Sequence, residues 1–82
     1  MGCLIIFKSI TYAQRAAAVL SRIRISAVII KPPVSLGRGS CSYALRIRTG
    51  ELSRAADALK NTSIPISGAY VREGSGYREV MI

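Results

Sequence analysis

The sequence contains no histidine, no tryptophan and only four acidic residues among its 82. Without histidine it lacks the most common general base in catalysis and the commonest zinc ligand. Its two cysteines, Cys3 and Cys41, cannot build a disulfide framework, and they are too far apart for a CxxC redox or zinc motif. Four scattered carboxylates offer no clear acid–base pair, so we expect no metal site and no enzyme.

Long hydrophobic runs are also missing. A transmembrane helix needs about 18 or more consecutive apolar residues, whereas the first apolar run, 3–7, is interrupted by Lys8. That run is also too short for the core of a signal peptide. We therefore expect a cytoplasmic protein in a reducing compartment, without membrane contact.

The charge is strongly one-sided, with 12 basic residues and a net charge of +8. Such a charge attracts phosphates, nucleic acids and acidic proteins. The basic residues are spread along the chain rather than clustered, which favours a solvated surface over a dedicated nucleic-acid interface. An apolar content of 50% is enough for one small hydrophobic core.

Hydrophobic periodicity predicts secondary-structure elements in the order βαββαβ. Ser9 or Thr11 is expected to cap the first helix, and Thr49 the second. In the alternating segment 43–48, Tyr43, Leu45 and Ile47 should face the helices, and Ala44, Arg46 and Arg48 the open side of the sheet. The predicted strands cover residues 3–8, 26–30, 43–48 and 66–72.

Two tandem βαβ units indicate an α+β fold, the ferredoxin-like sandwich. We expect a four-stranded antiparallel sheet of order 4-1-3-2 with both helices on one face. Residues 1–73 would form this domain. Residues 74–82 follow a glycine-containing turn and would form a C-terminal extension or an extra edge strand.

Cys41 is the candidate functional residue, because it lies where a glycine-containing loop meets the third predicted strand. In a βαββαβ sandwich this loop and the start of the first helix lie at the same end. The helix N-terminus around Ser9 and Thr11 favours anions. That field and nearby Arg38 would lower the pKa of the thiol. Backbone N–H groups of the loop, at Gly39, Ser40 and Ser42, could then contact a bound anion. Cys3, in a buried strand, is expected to be inert.

The chain resembles a family of small bacterial proteins described as selenium/sulfur (Se/S) carrier-like. The resemblance covers about residues 3–71: the strand Leu4-Ile5-Ile6-Phe7-Lys8-Ser9, an alanine-rich helix, Pro32-Pro33, Cys41 and Tyr43-Ala44-Leu45-Arg46-Ile47, and then 64–70. In the family pattern a glycine follows the cysteine, where this chain has Ser42.

The resemblance implies a sulfur or selenium carrier in which Cys41 holds a persulfide or selenosulfide. Arg38 and the amides of 39–42 would stabilise the terminal anion. The partners would be a donor protein, such as a cysteine desulfurase, and an acceptor protein. No metal or organic cofactor is implied.

Two other functions stay open. Ferredoxin-like sheets also bind RNA through exposed aromatic residues, but Phe7 and Tyr43 are both predicted to face inward, and the open side offers Arg46 and Arg48. Alternatively, the domain could be a regulatory module that forms a homodimer through an exposed sheet edge near residues 77–82.

Overall fold

The structure is a computed structural model that describes residues 2–31, 42–74 and 76–80. It confirms the α+β class, with two helices and one antiparallel sheet in this part of the chain. A short 3-10 turn, Thr49–Glu51, precedes the second helix. The helices and strands are β1 (Gly2–Phe7), α1 (Ile10–Arg22), β2 (Val28–Ile30), β3 (Tyr43–Arg48), α2 (Leu52–Asn61), β4 (Gly68–Glu73) and β5 (Gly76–Val80).

The sheet has five strands in the described residues, so the expected count of four is wrong. Its order is β2-β3-β1-β4-β5, which places the fifth strand beside β4. Gly74 has a φ of +59°, a left-handed conformation that glycine adopts without steric cost. The chain can therefore turn back sharply, and Glu73 pairs with Gly76 at the start of the β4–β5 hairpin.

The main core lies between the sheet and the two helices. Cys3, Ile5 and Phe7 point from β1 into this layer, as expected for alternate residues of a strand. The small residues Ala13 and Ala16 of α1 are fully buried against it, so the helix can pack closely on the sheet. Phe7 is the largest fully buried side chain of the core.

We call the opposite side of the sheet the open face, because neither α1 nor α2 lies on it. It carries a second, smaller cluster of Leu4, Ile6 and Ala44, with Ile30 and Tyr70 packed alongside. Ala44 lies on this side as expected, yet it is 0% exposed, since apolar side chains of neighbouring strands surround it. The open face carries the even-numbered residues of β1 to β4 and the odd-numbered residues of β5.

The two helices begin differently. Ser9 caps α1 as predicted: its side chain accepts a hydrogen bond from the backbone N–H of Tyr12. Thr49 does not cap α2, because the 3-10 turn intervenes and the helix starts at Leu52 without a side-chain cap. Neither described helix has the length and apolar character needed to span a bilayer.

Both helices end in the same way. Arg24 and Ser63 adopt left-handed φ angles of 63° and 57°. The next residue in each case, Ile25 or Ile64, donates its N–H to a carbonyl five residues earlier, that of Leu20 or Leu59. These bonds, together with buried isoleucine side chains, define a Schellman motif at each helix end.

We expect Ser63→Gly to stabilise the domain by roughly 0.5–1 kcal/mol. The left-handed conformation costs a residue with a Cβ about 1–2 kcal/mol, and greater chain freedom in the unfolded state offsets part of the gain. Ser63 is exposed, so its side chain contributes little packing. The measurement is urea unfolding followed by circular dichroism. The matched control is Asn61→Gly, in the last turn of α2, which should destabilise by a few tenths of a kcal/mol. Destabilisation by both variants would contradict the prediction.

Candidate functional site

One end of the sheet brings together the segments that the sequence analysis selected. Phe7, the last residue of β1, pairs with Tyr43, the first residue of β3. The chain therefore leaves β1 toward α1 at the same end at which it enters β3 from Ser42. We call this region the α1 end of the sheet. Ser9 and Ser42 both flank it, as the fold prediction required.

Ser9 has a structural role at this end, as the N-cap of α1. Its Oγ lies 3.3 Å from the N of Tyr12, and its carbonyl accepts a hydrogen bond from the N–H of Ala13. Thr11 lies in the first turn of α1 and is exposed. Ser9 thus fixes where the helix begins, whereas Thr11 is available to solvent and to a ligand.

The start of α1 is electrostatically positive. Its first turn contains no acidic residue, and the exposed Lys8 lies just before the cap. Unpaired N–H groups at a helix N-terminus carry about half a positive charge. No carboxylate of that turn neutralises this field, so the α1 end of the sheet favours a nearby anion.

Ser42 is the one polar residue in the buried set of the described chain, with 7% of its surface exposed. A hydroxyl there sits at the boundary between the core and the α1 end of the sheet. The other predicted site residues, Arg38, Gly39, Ser40 and Cys41, lie outside the described residues. Their predicted roles therefore stay predictions.

Lys31 is a residue that the sequence analysis did not select. Its Nζ lies 4.2 Å from the centre of the Tyr43 ring, a cation–π contact. It follows β2, whose last residue, Ile30, pairs with Ala44 of β3. Because the end of β2 pairs with the start of β3, the ammonium group of Lys31 lies at the α1 end of the sheet. Only the register of β2 on β3 could have indicated it in advance.

Cys3 lies near the other end of β1, about 13 Å from Phe7 at the usual rise of a strand. It is 0% exposed, and its Sγ is 3.9 Å from the carbonyl oxygen of Arg48. Burial raises the pKa of its thiol from 9.0 to about 11, because the core disfavours the charged thiolate. Cys3 is thus a protonated core residue at neutral pH.

The described part of the chain contains no group of three or more His, Cys, Asp or Glu residues that could hold a metal ion. A profile of the protein family described as "Putative Se/S carrier protein-like" matches residues 2–71. Searches of curated proteins and of solved structures give no significant match. The matched segment includes β1, α1 and β3, so it contains the whole α1 end of the sheet, whereas β5 lies beyond it.

Proposed function

The chain belongs to this Se/S carrier-like family, and we propose on that premise that it carries sulfur or selenium on the thiol of Cys41. The carrier would act in the reducing cytoplasm, where a free thiol persists. It would depend on one protein that donates the atom and another that accepts it. Carriage requires no catalysis of its own and no cofactor.

The choice of Cys41 rests on the state of the only other cysteine. The sequence has two cysteines, and a carrier thiol must meet its partner protein and react as a thiolate. Cys3 is fully buried, and its pKa is raised to about 11. It therefore satisfies neither requirement, which leaves Cys41 as the thiol for this chemistry.

The surroundings of Ser42 support this choice. One peptide bond joins Cys41 to Ser42, so their Cα atoms are about 3.8 Å apart. Ser42 directly precedes β3 at the α1 end of the sheet. At this end the first turn of α1 contains no carboxylate, and Lys8 is exposed. A positive environment lowers the pKa of a thiol and stabilises a persulfide anion by the same Coulomb attraction.

The proposed transfer is a thiol–disulfide type displacement. The Cys41 thiolate attacks the terminal sulfur of a donor persulfide, so that one S–S bond forms and the donor's S–S bond breaks. The donor cysteine leaves as a thiolate and can take up the proton that Cys41 released on ionising. Sulfur keeps its oxidation state, so the step needs no oxidant or reductant. Attack on the selenium of a donor S–Se bond gives the selenosulfide in the same way.

The remaining predicted residues have distinct roles in this proposal. Arg38 and the amides of Gly39, Ser40 and Ser42 would hold the terminal anion. Thr11 would contribute from the exposed first turn of α1. The Ser9 hydroxyl is engaged in capping, so its contribution would be indirect, through the position of the helix N-terminus.

Intact-mass spectrometry after incubation with a cysteine desulfurase and cysteine tests the proposal. We expect an adduct of about 32 Da, one sulfur atom, that disappears on reduction. Cys41→Ser should lose the adduct completely, because the acceptor thiol is gone.

The matched control is Cys3→Ala, which removes the other thiol and keeps the core position apolar. It should retain the full adduct. No adduct on the wild-type protein, or an adduct that survives Cys41→Ser and disappears in Cys3→Ala, would overturn the proposal.

A further inference from the structure

Tyrosine and arginine side chains occur together on the open face, and the proposed carrier chemistry does not use them. Phe7 and Tyr43 were the aromatic candidates predicted from the sequence. Both contact the core on the helix side. Tyr70 and Tyr77, by contrast, lie on the open face, by the registers of β4 with β1 and of β5 with β4.

The Tyr70 ring lies along the sheet surface. A Cβ added at Gly68 would come within 3.3 Å of its Cε1 and 3.6 Å of its OH. The ring therefore extends back over the glycine two residues earlier, and the missing side chain makes room for it. Tyr70 also packs against the small apolar cluster of this face and is only half-buried, so part of its surface remains exposed. Base stacking on a protein requires such a platform.

The second ring lies farther along the same face. Tyr77 pairs with Arg72, two residues beyond Tyr70 on β4, whereas the Tyr70 ring extends in the opposite direction, over Gly68. At about 3.3 Å per strand residue, Gly68 and the Arg72–Tyr77 pair are roughly 13 Å apart along the sheet. The two rings can therefore stack with separate, non-adjacent bases of one extended strand. Tyr77 is 38% exposed, which leaves a substantial part of it available for contact.

Three arginines accompany the rings. Arg46, Arg48 and Arg72 are exposed and belong to the open face. Arg48 pairs with Gly2 of β1. A Cβ at Gly2 would lie 3.6 Å from Cγ of Arg46. Arg46 and Arg48 therefore both lie next to Gly2, which has no side chain to cover them. The ion pairs of the described residues use Arg54 and Arg78 instead. The three guanidinium groups are therefore available to phosphates.

We propose that the open face binds single-stranded RNA, with bases stacked on Tyr70 and Tyr77 and phosphates held by Arg46, Arg48 and Arg72. This function is independent of Cys41. The net charge of +8 favours a polyanion, and the two tyrosines favour one with unpaired bases. Glu79, the acidic residue of this face in the described strands, lies opposite Tyr70. Its carboxylate can accept a hydrogen bond from a ribose 2′-OH, a donor that DNA lacks.

The test is fluorescence anisotropy of the full chain with a labelled single-stranded RNA of about ten nucleotides, at several salt concentrations. We expect binding that weakens steeply with salt. Tyr70→Leu retains an apolar contact and removes the aromatic ring. It should weaken binding roughly 5- to 150-fold, the range for loss of one stacked base. Gly68→Ala, which requires the ring to shift by a few tenths of an ångström, should weaken binding less than Tyr70→Leu.

Charge-matched variants separate specific contact from general attraction. Arg72→Gln removes a charge from the open face, whereas Arg78→Gln removes one from the helix side of the neighbouring strand. Only Arg72→Gln should reduce the slope of log affinity against log salt, by about 0.7. Equal effects of the two variants would overturn the proposal. So would absence of binding, or equal affinity for heparin, for double-stranded RNA or for DNA of the same sequence.

Discussion

Phe7→Ala is expected to lower the free energy of unfolding by about 3–5 kcal/mol. Phe7 is 0% exposed and is the largest fully buried side chain of the main core. It is also the last residue of β1, paired with Tyr43, so its removal leaves a cavity directly beneath the α1 end of the sheet. A domain of this size has a total stability of only about 5–15 kcal/mol. The variant should therefore lose a large share of its stability.

Urea unfolding followed by circular dichroism provides the measurement, and Val28→Ala provides the control. Val28 is also an apolar strand residue, but 49% of its surface is exposed, so its truncation should cost less than about 1 kcal/mol. Similar losses for the two variants would show that the core is not centred on β1. If Phe7→Ala remains folded at low temperature, its persulfide yield reports how strongly the thiol site depends on this packing.

Alkaline pH should weaken the fold through Cys3. Its pKa is raised by burial from 9.0 to about 11, so the unfolded chain loses the proton at a lower pH than the folded one. The contribution of this thiol is fully present below pH 9 and declines as the pH rises to about 11. Two pKa units correspond to at most about 3 kcal/mol. We therefore expect the free energy of unfolding to fall across this window.

The measurement needs a matched pair of proteins that differ only at residue 3. Urea unfolding between pH 8 and pH 11 should be compared in Cys41→Ser and in the double variant Cys3→Ala/Cys41→Ser, both under reducing conditions. The difference between them should grow in favour of the double variant as the pH rises. Parallel curves would show that Cys3 titrates normally. Native Cys41→Ser should also resist thiol reagents until it unfolds.

The sequence predicted the parts of the fold that depend on local pattern. The strict alternation of residues 43–48 predicted β3 with the observed bounds. The β-branched run 3–7 predicted a buried central strand, and β1 is buried on both faces. Ser9 was one of two caps considered for α1, and its hydrogen bond to Tyr12 confirms it. In each case the cause lies within a few residues of the effect.

Two outcomes did not follow from local pattern and propensity. Alternation correctly placed Ala44 on the open face, but its burial depends on Ile30 and Tyr70, which belong to other strands. Thr49 has the side chain of a good cap, yet the 3-10 turn moves the helix start to Leu52. The Oγ1 atom of Thr49 is instead buried, without a hydrogen-bond partner among the described residues. Propensity could not reveal either outcome.

Part of the candidate site was predicted correctly from the sequence, and part was missed. The topology correctly brought Ser42 to the end of the sheet at which α1 begins. Lys31 was missed, because its contact with Tyr43 follows from how β2 aligns with β3. The role of Cys41 stays a prediction, since that residue lies outside the described part of the chain.

The β4–β5 hairpin has a consequence for how the molecule behaves at high concentration. The family match ends at Val71, and without β5 the backbone of β4 would offer unsatisfied N–H and C=O groups to other chains. Pairing with β5 saturates them, and the new outermost strand carries charged Arg78 and Glu79. At the opposite margin β2 is only three residues long. Both edge strands are thus poor templates for the addition of strands from other chains, which disfavours amyloid-like aggregation at high concentration.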